Sequence, residues 1–242
     1  GIFAVESAVN ELARKMEMDP VRLREINMVR EGQIMPAYYG ERLNSCALDR
    51  CMARAKEMIR WDEKYPCRDL GNGKIRSVGV AMAMQGSGIS SLDTSAVSLK
   101  VSDDGYYTMG IGAADMGTGC DTSLAQIAAE CLGCEVEDII VHSTDTDSSP
   151  YDKGSYASST AYVTGMATLK TCEALIAKIR QAGAARLGCS QAMVDFDGKN
   201  VYHVETNEMV SLRDLGNENM AGDKNELYAT ESFCSQVSPP PF

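Results

Sequence analysis

The closely spaced glycines Gly110, Gly112, Gly117 and Gly119 constrain the fold of this chain more than any other feature. A strand-like run precedes them and apolar residues at helical spacing follow, so residues 110–132 predict a strand, a glycine-rich turn and a helix. Glycine permits left-handed backbone angles and close approach of other groups. The N-terminus of the helix then presents N–H groups and positive dipole charge. The pattern therefore predicts an anion site suited to phosphate.

A second polar loop has the same character. Residues 145–159 are rich in serine and aspartate and open a long helix predicted over 159–187. Two such helix ends can face one ligand that carries both a phosphate and a polar ring system. The alternative, two unrelated loops with capping serines, stays open. The first loop lacks the lysine of a P-loop, and the strand before it follows another strand rather than opening a βαβ unit.

Charge and cysteine content limit the classes of partner and the cellular location that we expect for this protein. The net charge is −11 and the pI about 4.7, with no basic stripe, so we expect neither nucleic acid nor an anionic membrane surface as a partner. No apolar run approaches the ~20 residues that span a bilayer. The 9 cysteines predict reduced thiols and a cytoplasmic location. We expect no metal ligands, and interpret the Cys131-Leu-Gly-Cys134 pair as structural.

The pattern of apolar residues predicts two regions, a helical segment at 1–73 and an α+β portion at 74–242, with a mixed β-sheet packed by long helices. Strands are predicted at 77–84, 94–101 and 106–111, with Asp103-Asp-Gly105 as the turn of a hairpin. The chain begins without methionine and ends in a proline-rich run, so we expect it to be an excised piece of a longer protein.

Two motifs at this spacing carry a resemblance. The first loop and its helix contain Asp115-Met-Gly-Thr-Gly119, Thr122 and Gln126-Ile-Ala-Ala-Glu130. The second loop contains Asp145-Thr-Asp, Pro150-Tyr-Asp and Gly154-Ser-Tyr-Ala-Ser-Ser159. Together these motifs resemble the molybdopterin-binding region of the xanthine dehydrogenase and aldehyde oxidase family. Two further segments of that family resemble Leu23-Arg-Glu-Ile-Asn-Met-Val-Arg-Glu-Gly32 and Gly79-Val-Ala-Met-Ala-Met-Gln-Gly86. The similarity extends over essentially the whole chain.

The resemblance implies a set of cofactor-binding residues. Thr118, between Gly117 and Gly119, occupies the position of a family glutamine that contacts the molybdenum cofactor, and a hydroxyl cannot copy an amide. Met82 and Ala83 correspond to the wall of the site near the metal, and Gln85 lies on the same loop. The second loop corresponds to the family's pterin and phosphate contacts, made by backbone N–H groups around Tyr156, Ala157, Ser158 and Ser159.

The resemblance also implies an activity. Family members hydroxylate purines, other N-heterocycles or aldehydes with water as the oxygen source, using molybdenum–molybdopterin, alone or as a dinucleotide. Iron–sulfur (2Fe–2S) and FAD modules lie on other domains or subunits, and the general-base glutamate is expected beyond Phe242. The fragment is therefore expected to be inactive alone and to form a homo-oligomer or larger assembly. The alternative is a noncatalytic assembly or binding module whose glycine-rich turns are only structural.

Overall fold

The computed structural model describes residues 1–35, 40–83, 92–221 and 227–236. The chain forms two compact units, whose described parts are residues 1–83 and residues 92–236 apart from the gaps just given. The α+β class predicted from the sequence is confirmed, because both units combine helices with β-structure. The predicted division at residue 73 stays a prediction.

The first unit is helical with two short antiparallel ribbons, which the sequence did not indicate. Its elements are α1 (Ile2–Lys15), α2 (Pro20–Asn27), β1 (Ile34–Met35), β2 (Glu41–Arg42), α3 (Leu48–Ile59), α4 (Trp61–Lys64), β3 (Cys67–Asp69) and β4 (Ile75–Ser77). Asp19 caps α2 by accepting a hydrogen bond from the Val21 N–H, with Pro20 in the first turn as predicted.

The predicted strand over 77–84 is wrong for residues 78–83, and Met84 lies outside the described residues. Its alternation is real, since Val78, Val80 and Met82 pack against an apolar cluster that includes Val21 and Trp61. Residues 78–83 nevertheless have no strand partner among the described residues, because helices rather than a second strand cover the apolar side. A period of two therefore indicated an extended backbone without indicating a sheet.

The second unit holds the main sheet. Its elements are β5 (Thr94–Val101), β6 (Tyr107–Ile111), α5 (Cys120–Leu132), β7 (Ile139–Ser143), α6 (Thr160–Leu187), β8 (Val194–Phe196), β9 (Asn200–His203), β10 (Met209–Ser211), α7 (Leu212–Ala221) and β11 (Tyr228–Cys234). The sheet order is β11-β5-β6-β7, and β8, β9 and β10 form a separate three-stranded sheet. The predicted hairpin between β5 and β6 and the predicted long helix are confirmed.

The exclusion of a β–α–β unit at the glycine-rich turn, made from the sequence, is wrong. β6 pairs parallel with β7, and α5 is the crossover between them. The glycine-rich turn thus does open a β–α–β crossover, although β5 precedes it in an antiparallel hairpin. The mixed sheet accommodates both pairings, which local sequence order could not distinguish.

The core of the second unit lies between the main sheet and the helices α5 and α6. Every second residue of β5 is buried, and β6 follows the same alternation. These side chains pack against buried positions of both helices, so the sheet fixes where the two helices begin. The fully buried members include Val97, Leu99, Met109, Leu124 and Leu175.

Candidate functional site

A cavity of about 380 Å³ lies where the two polar loops enter their helices. Thr118 reaches it from the first loop, and Tyr156, Ala157 and Ser158 reach it from the second, so the structure brings these four predicted residues together. The cavity is further lined by Cys120, Ser123, Leu124, Ser155, Thr160 and Ala161. The sequence analysis did not single out these six, although each lies on one of the two loops or in the first turns of the helix that follows.

Four residues at the second loop and the start of α6 that line this cavity have backbone N–H groups without an acceptor in the described part of the chain. Ala157 and Ser158 have left-handed φ angles of 50° and 53°. Among the described residues, the N–H groups of Ala157, Ser158, Thr160 and Ala161 have no hydrogen-bond acceptor. Consecutive N–H groups in such a conformation, at the N-terminus of the 28-residue helix α6, form a concave site for an anion.

The same loop is braced from within. The Tyr156 N–H donates to the Gly154 carbonyl, and the Ser159 N–H and Oγ both donate to the Tyr156 carbonyl, at 3.1 and 2.8 Å. These two predicted residues therefore use their own N–H groups for the turn. The Tyr156 hydroxyl donates to Asp93 Oδ1 at 2.6 Å, and this hydrogen bond, with burial, raises the pKa of Tyr156 to about 12.

The expectation of a free anion site at the first loop is wrong, because the loop's own hydrogen bonds use its N–H groups. The Gly117 and Gly119 N–H groups donate to Asp115 Oδ1 at 2.9 and 3.1 Å. These hydrogen bonds hold the pKa of the exposed Asp115 carboxyl below its usual range, so it is negatively charged at neutral pH. The turn thus supplies its own anion, which occupies donors that an external phosphate would need.

Further negative charge surrounds the first turn of α5. The carboxylates of Asp115 and Asp121 and the Cys120 thiol lie within 4.8 Å of one another. The Asp121 carboxylate also accepts a hydrogen bond from Ser143 Oγ at 2.9 Å, which ties α5 to the end of β7. The two sides of the cavity therefore differ: carboxylates lie beside the first turn of α5, and N–H groups without an acceptor in the described part of the chain lie at α6.

Close contacts hold the two loops against each other. The Ala114 N–H donates to Ser155 Oγ at 3.0 Å. A Cβ atom on Gly112 would lie 2.5 Å from the Pro150 carbonyl oxygen and 2.8 Å from Asp152 Cβ, so only glycine permits this approach. Asp152 in turn accepts hydrogen bonds from the Gly154 N–H and the Thr164 hydroxyl, at 2.7 and 3.2 Å.

The remaining predicted site residues that the structure describes are not among the lining residues of this cavity. Met82 and Ala83 belong to the first unit and are described there, and Gln85 lies outside the described residues. Gly117 and Gly119 shape the turn that carries Thr118, with left-handed φ angles of 100° and 72°. Ser159 lines a smaller neighbouring cavity. No helix in the described part of the chain combines the length and apolarity needed to cross a bilayer.

Comparisons with known proteins identify the family of this chain. A protein-family model described as "Molybdopterin cofactor-binding domain" matches residues 54–241. The chain is 36% identical over 246 residues to the "Probable hypoxanthine oxidase XdhD" of Escherichia coli K12, covering 97% of this chain and 25% of that protein. It is 30% identical over 249 residues to the "Putative xanthine dehydrogenase molybdenum-binding subunit XdhA" of the same strain, covering 100% and 33%.

Solved structures show the same fold. An aldehyde oxidoreductase from Desulfovibrio desulfuricans superposes with a TM-score of 0.64 at 24% identity, covering 98% of this chain and 23% of that chain. A quinoline 2-oxidoreductase from Pseudomonas putida 86 gives a TM-score of 0.59 at 17% identity, covering 98% and 33%. The chain thus spans between a quarter and a third of the length of the curated relatives named above.

Proposed function

Since this chain belongs to the family of molybdopterin cofactor-binding domains, we propose that its two loop–helix junctions hold a molybdenum–molybdopterin cofactor within a larger oxidoreductase. The observation that carries this proposal is the set of N–H groups at the start of α6 that have no acceptor among the described residues, in residues that line the 380 Å³ cavity. A phosphate is the group that such donors bind best.

The charges around the cavity orient the proposed ligand. The anionic phosphate, alone or extended to a dinucleotide, lies against the N–H groups of Ala157, Ser158, Thr160 and Ala161. The neutral polar rings lie toward Thr118 and Ser123, whose hydroxyls donate and accept hydrogen bonds. The Asp115 carboxylate would repel the phosphate from the α5 side, so the opposite orientation is disfavoured.

In this arrangement, each loop residue has a separate task. The glycines Gly117 and Gly119 permit the left-handed turn that presents Thr118. Tyr156 and Ser159 brace the second loop through hydrogen bonds within the protein. Met82 and Ala83, by resemblance, form a wall of the substrate site, with Gln85 on the same loop. When bound, the cofactor supplies the redox chemistry of hydroxylation, with water as the oxygen source.

For the whole protein, we propose hydroxylation of purines, other N-heterocycles or aldehydes. The proposal extends to iron–sulfur (2Fe–2S) and FAD domains or subunits as electron-transfer partners, to a homo-oligomer or larger assembly, and to a general-base glutamate beyond Phe242. Support comes from the printed names of the relatives, which include a hypoxanthine oxidase and a molybdenum-binding subunit. A cytoplasmic location is proposed on the reduced cysteines.

The direct test compares Ala157→Asp with Ala157→Asn in the full-length protein. Both side chains tolerate the left-handed backbone at this position and have nearly equal volume, so they differ chiefly in charge. Two like charges ~4 Å apart near a protein surface repel by about 4 kcal/mol, and about a third of that weakens binding tenfold. We expect at least a tenfold loss of molybdenum and acid-released pterin in Ala157→Asp, and near-stoichiometric content in Ala157→Asn.

Equal loss in both variants would show that bulk, not charge, matters, and would contradict a phosphate at this position. Full molybdenum and pterin content in both variants would show that the cofactor does not bind beside the start of α6. Absence of molybdenum and pterin from correctly matured wild type would favour the noncatalytic binding module instead.

A further inference from the structure

The extended segment 78–82 of the first unit is fixed by a hydrogen bond that it donates to helix α1, which is distant in sequence. The Met82 N–H donates to Glu6 Oε2 of α1 at 2.6 Å, across 76 residues of sequence. The segment has no strand partner among the described residues, so its backbone N–H groups do not enter a sheet ladder. Apolar packing of Val78 and Val80 holds one side of the segment, and the Glu6 carboxylate holds its end.

Arg24 of α2 fixes the position of this carboxylate. Its Nη2 and Nε both donate to Glu6 Oε2, at 2.7 and 3.1 Å. The Arg24 side chain is only 3% exposed and also donates to Asn10 Oδ1 and the Pro20 carbonyl, at 2.9 and 3.0 Å. An arginine with all these acceptors has little rotational freedom, so it acts as a rigid support for Glu6.

The carboxylate is charged in spite of its enclosure. Burial raises the pKa of Glu6, but the hydrogen bonds from the Met82 N–H and Arg24, with the charge of Arg24, outweigh burial and hold the pKa below its ordinary value. The hydrogen bond to Met82 is therefore charge-assisted, which makes it shorter and stronger than a bond between neutral groups. A neutral amide at residue 6 would not reproduce it.

We propose that Glu6, supported by Arg24, is a positioning residue that sets the backbone of Met82 and Ala83 and thereby shapes the substrate site. This inference rests on the proposed function, because the resemblance alone assigns Met82 and Ala83 to the wall of that site. The ligands of this substrate site are the N-heterocycles or aldehydes named in the proposed function. Glu6 itself touches neither substrate nor cofactor in this proposal and acts only through the Met82 backbone.

The test uses Glu6→Gln in the full-length enzyme, with two readouts. The first is hydrogen exchange at the Met82 amide, measured by mass spectrometry on overlapping peptides, which we expect to be at least about tenfold faster. The second is steady-state kinetics with hypoxanthine and benzaldehyde as probe substrates. We expect kcat/KM to fall at least about fivefold, mainly through KM, at unchanged molybdenum content.

Two further variants make the result specific. Glu11→Gln removes an exposed carboxylate from the same helix, where it pairs with Arg14 at 2.6 Å, and should change neither readout. Glu6→Asp keeps the charge beside the buried Arg24 but is one methylene shorter, so it cannot reach both Arg24 and Met82. If Glu6→Gln fails to fold, Glu6→Asp should show the same two effects at smaller size.

Unchanged exchange at Met82 in both Glu6 variants would overturn the proposed anchor. Faster exchange with kinetics equal to those of Glu11→Gln would overturn its role in the substrate site. Wild type that holds no molybdenum would instead refute the proposed function, and the exchange at Met82 would still decide whether Glu6 anchors the segment.

Discussion

Single residues decide how closely the two loops of the candidate site approach each other. Gly112 lies just past the end of β6, with the second loop directly against its Cα. Ser155 links the loops through the Ala114 N–H, and Asp152 organises the second loop through Gly154 and Thr164. The shape of the cavity therefore depends on Ser155 in its lining and on Gly112 and Asp152, which are not lining residues.

At this scale we predict that Gly112→Ala displaces the second loop. The new Cβ would collide with the Pro150 carbonyl and Asp152 Cβ, and such overpacking costs about 1–3 kcal/mol. The loop is tied to β5 by the bond from the Ala96 N–H to the Tyr151 carbonyl, at 2.8 Å. Hydrogen exchange at the Ala96 amide should accelerate by about five- to a hundredfold.

Gly79→Ala is the matched control, because no atom of the described residues lies within 4 Å of its added Cβ and its φ is not left-handed. It should leave exchange at Ala96 unchanged and, if anything, stabilise its own segment by a few tenths of a kcal/mol. Unchanged exchange at Ala96 in Gly112→Ala would mean that the loop tolerates a shift at no cost.

At the scale of elements, the helix α6 is positioned by a close contact with the second sheet. A Cβ on Gly183 would lie 2.4 Å from Val201 Cγ1 and 2.5 Å from Val201 Cβ. Since α6 begins at the cavity and passes β9 near its other end, this contact contributes to the placement of its N-terminus. Glycine in a helix interior costs about 1 kcal/mol relative to alanine, so the close approach must outweigh that cost.

We predict that Gly183→Ala destabilises the protein by about 1–2 kcal/mol, because overpacking against Val201 exceeds the gain in helix propensity. In a Val201→Gly background all three obstructing atoms, Cβ included, are absent, and the same substitution should stabilise by up to about 1 kcal/mol. A double-mutant cycle, with opening free energies from hydrogen exchange of α6 amides, measures the coupling. The same sign in both backgrounds would refute the steric explanation.

At the scale of the whole molecule, carboxylates govern the response to acid. Glu6 is half-buried and Asp197 is exposed. For both, the desolvation that raises the pKa is outweighed by hydrogen bonds, so the pKa is held below its ordinary value. A group whose pKa is lower in the folded state adds stability above its unfolded pKa. That stability is lost as pH falls through the folded pKa.

We therefore predict that stability falls below about pH 4.5, the ordinary value for glutamate. Between pH 7 and the pI of about 4.7, the net charge of −11 is neutralised, which relieves repulsion and keeps stability nearly level. Urea unfolding midpoints of the chain at pH 7, 4.5 and 3 should show a drop only in the last interval. The drop should be smaller in Glu6→Gln, and an equal drop there would remove Glu6 as a contributor.

The sequence by itself determined the features that depend on neighbouring residues. The hairpin turn at 103–105, the long helix α6 and the capped start of α2 follow from turn residues, apolar period and capping chemistry, all of which act within a few positions. The two loop motifs also indicated the family, because their side chains and glycines are local requirements of the site.

Only the tertiary structure decided the rest, because it depends on contacts between residues far apart in the chain. Local order could not reveal that β6 pairs parallel with β7, or that the Ala114 N–H donates to Ser155 Oγ on the second loop. Nor could it reveal that the segment after Ser77 packs on helices, held by Glu6. Periodicity states which side of a backbone is apolar, whereas the partner is selected by three-dimensional packing and by the hydrogen-bond acceptors that folding brings within reach.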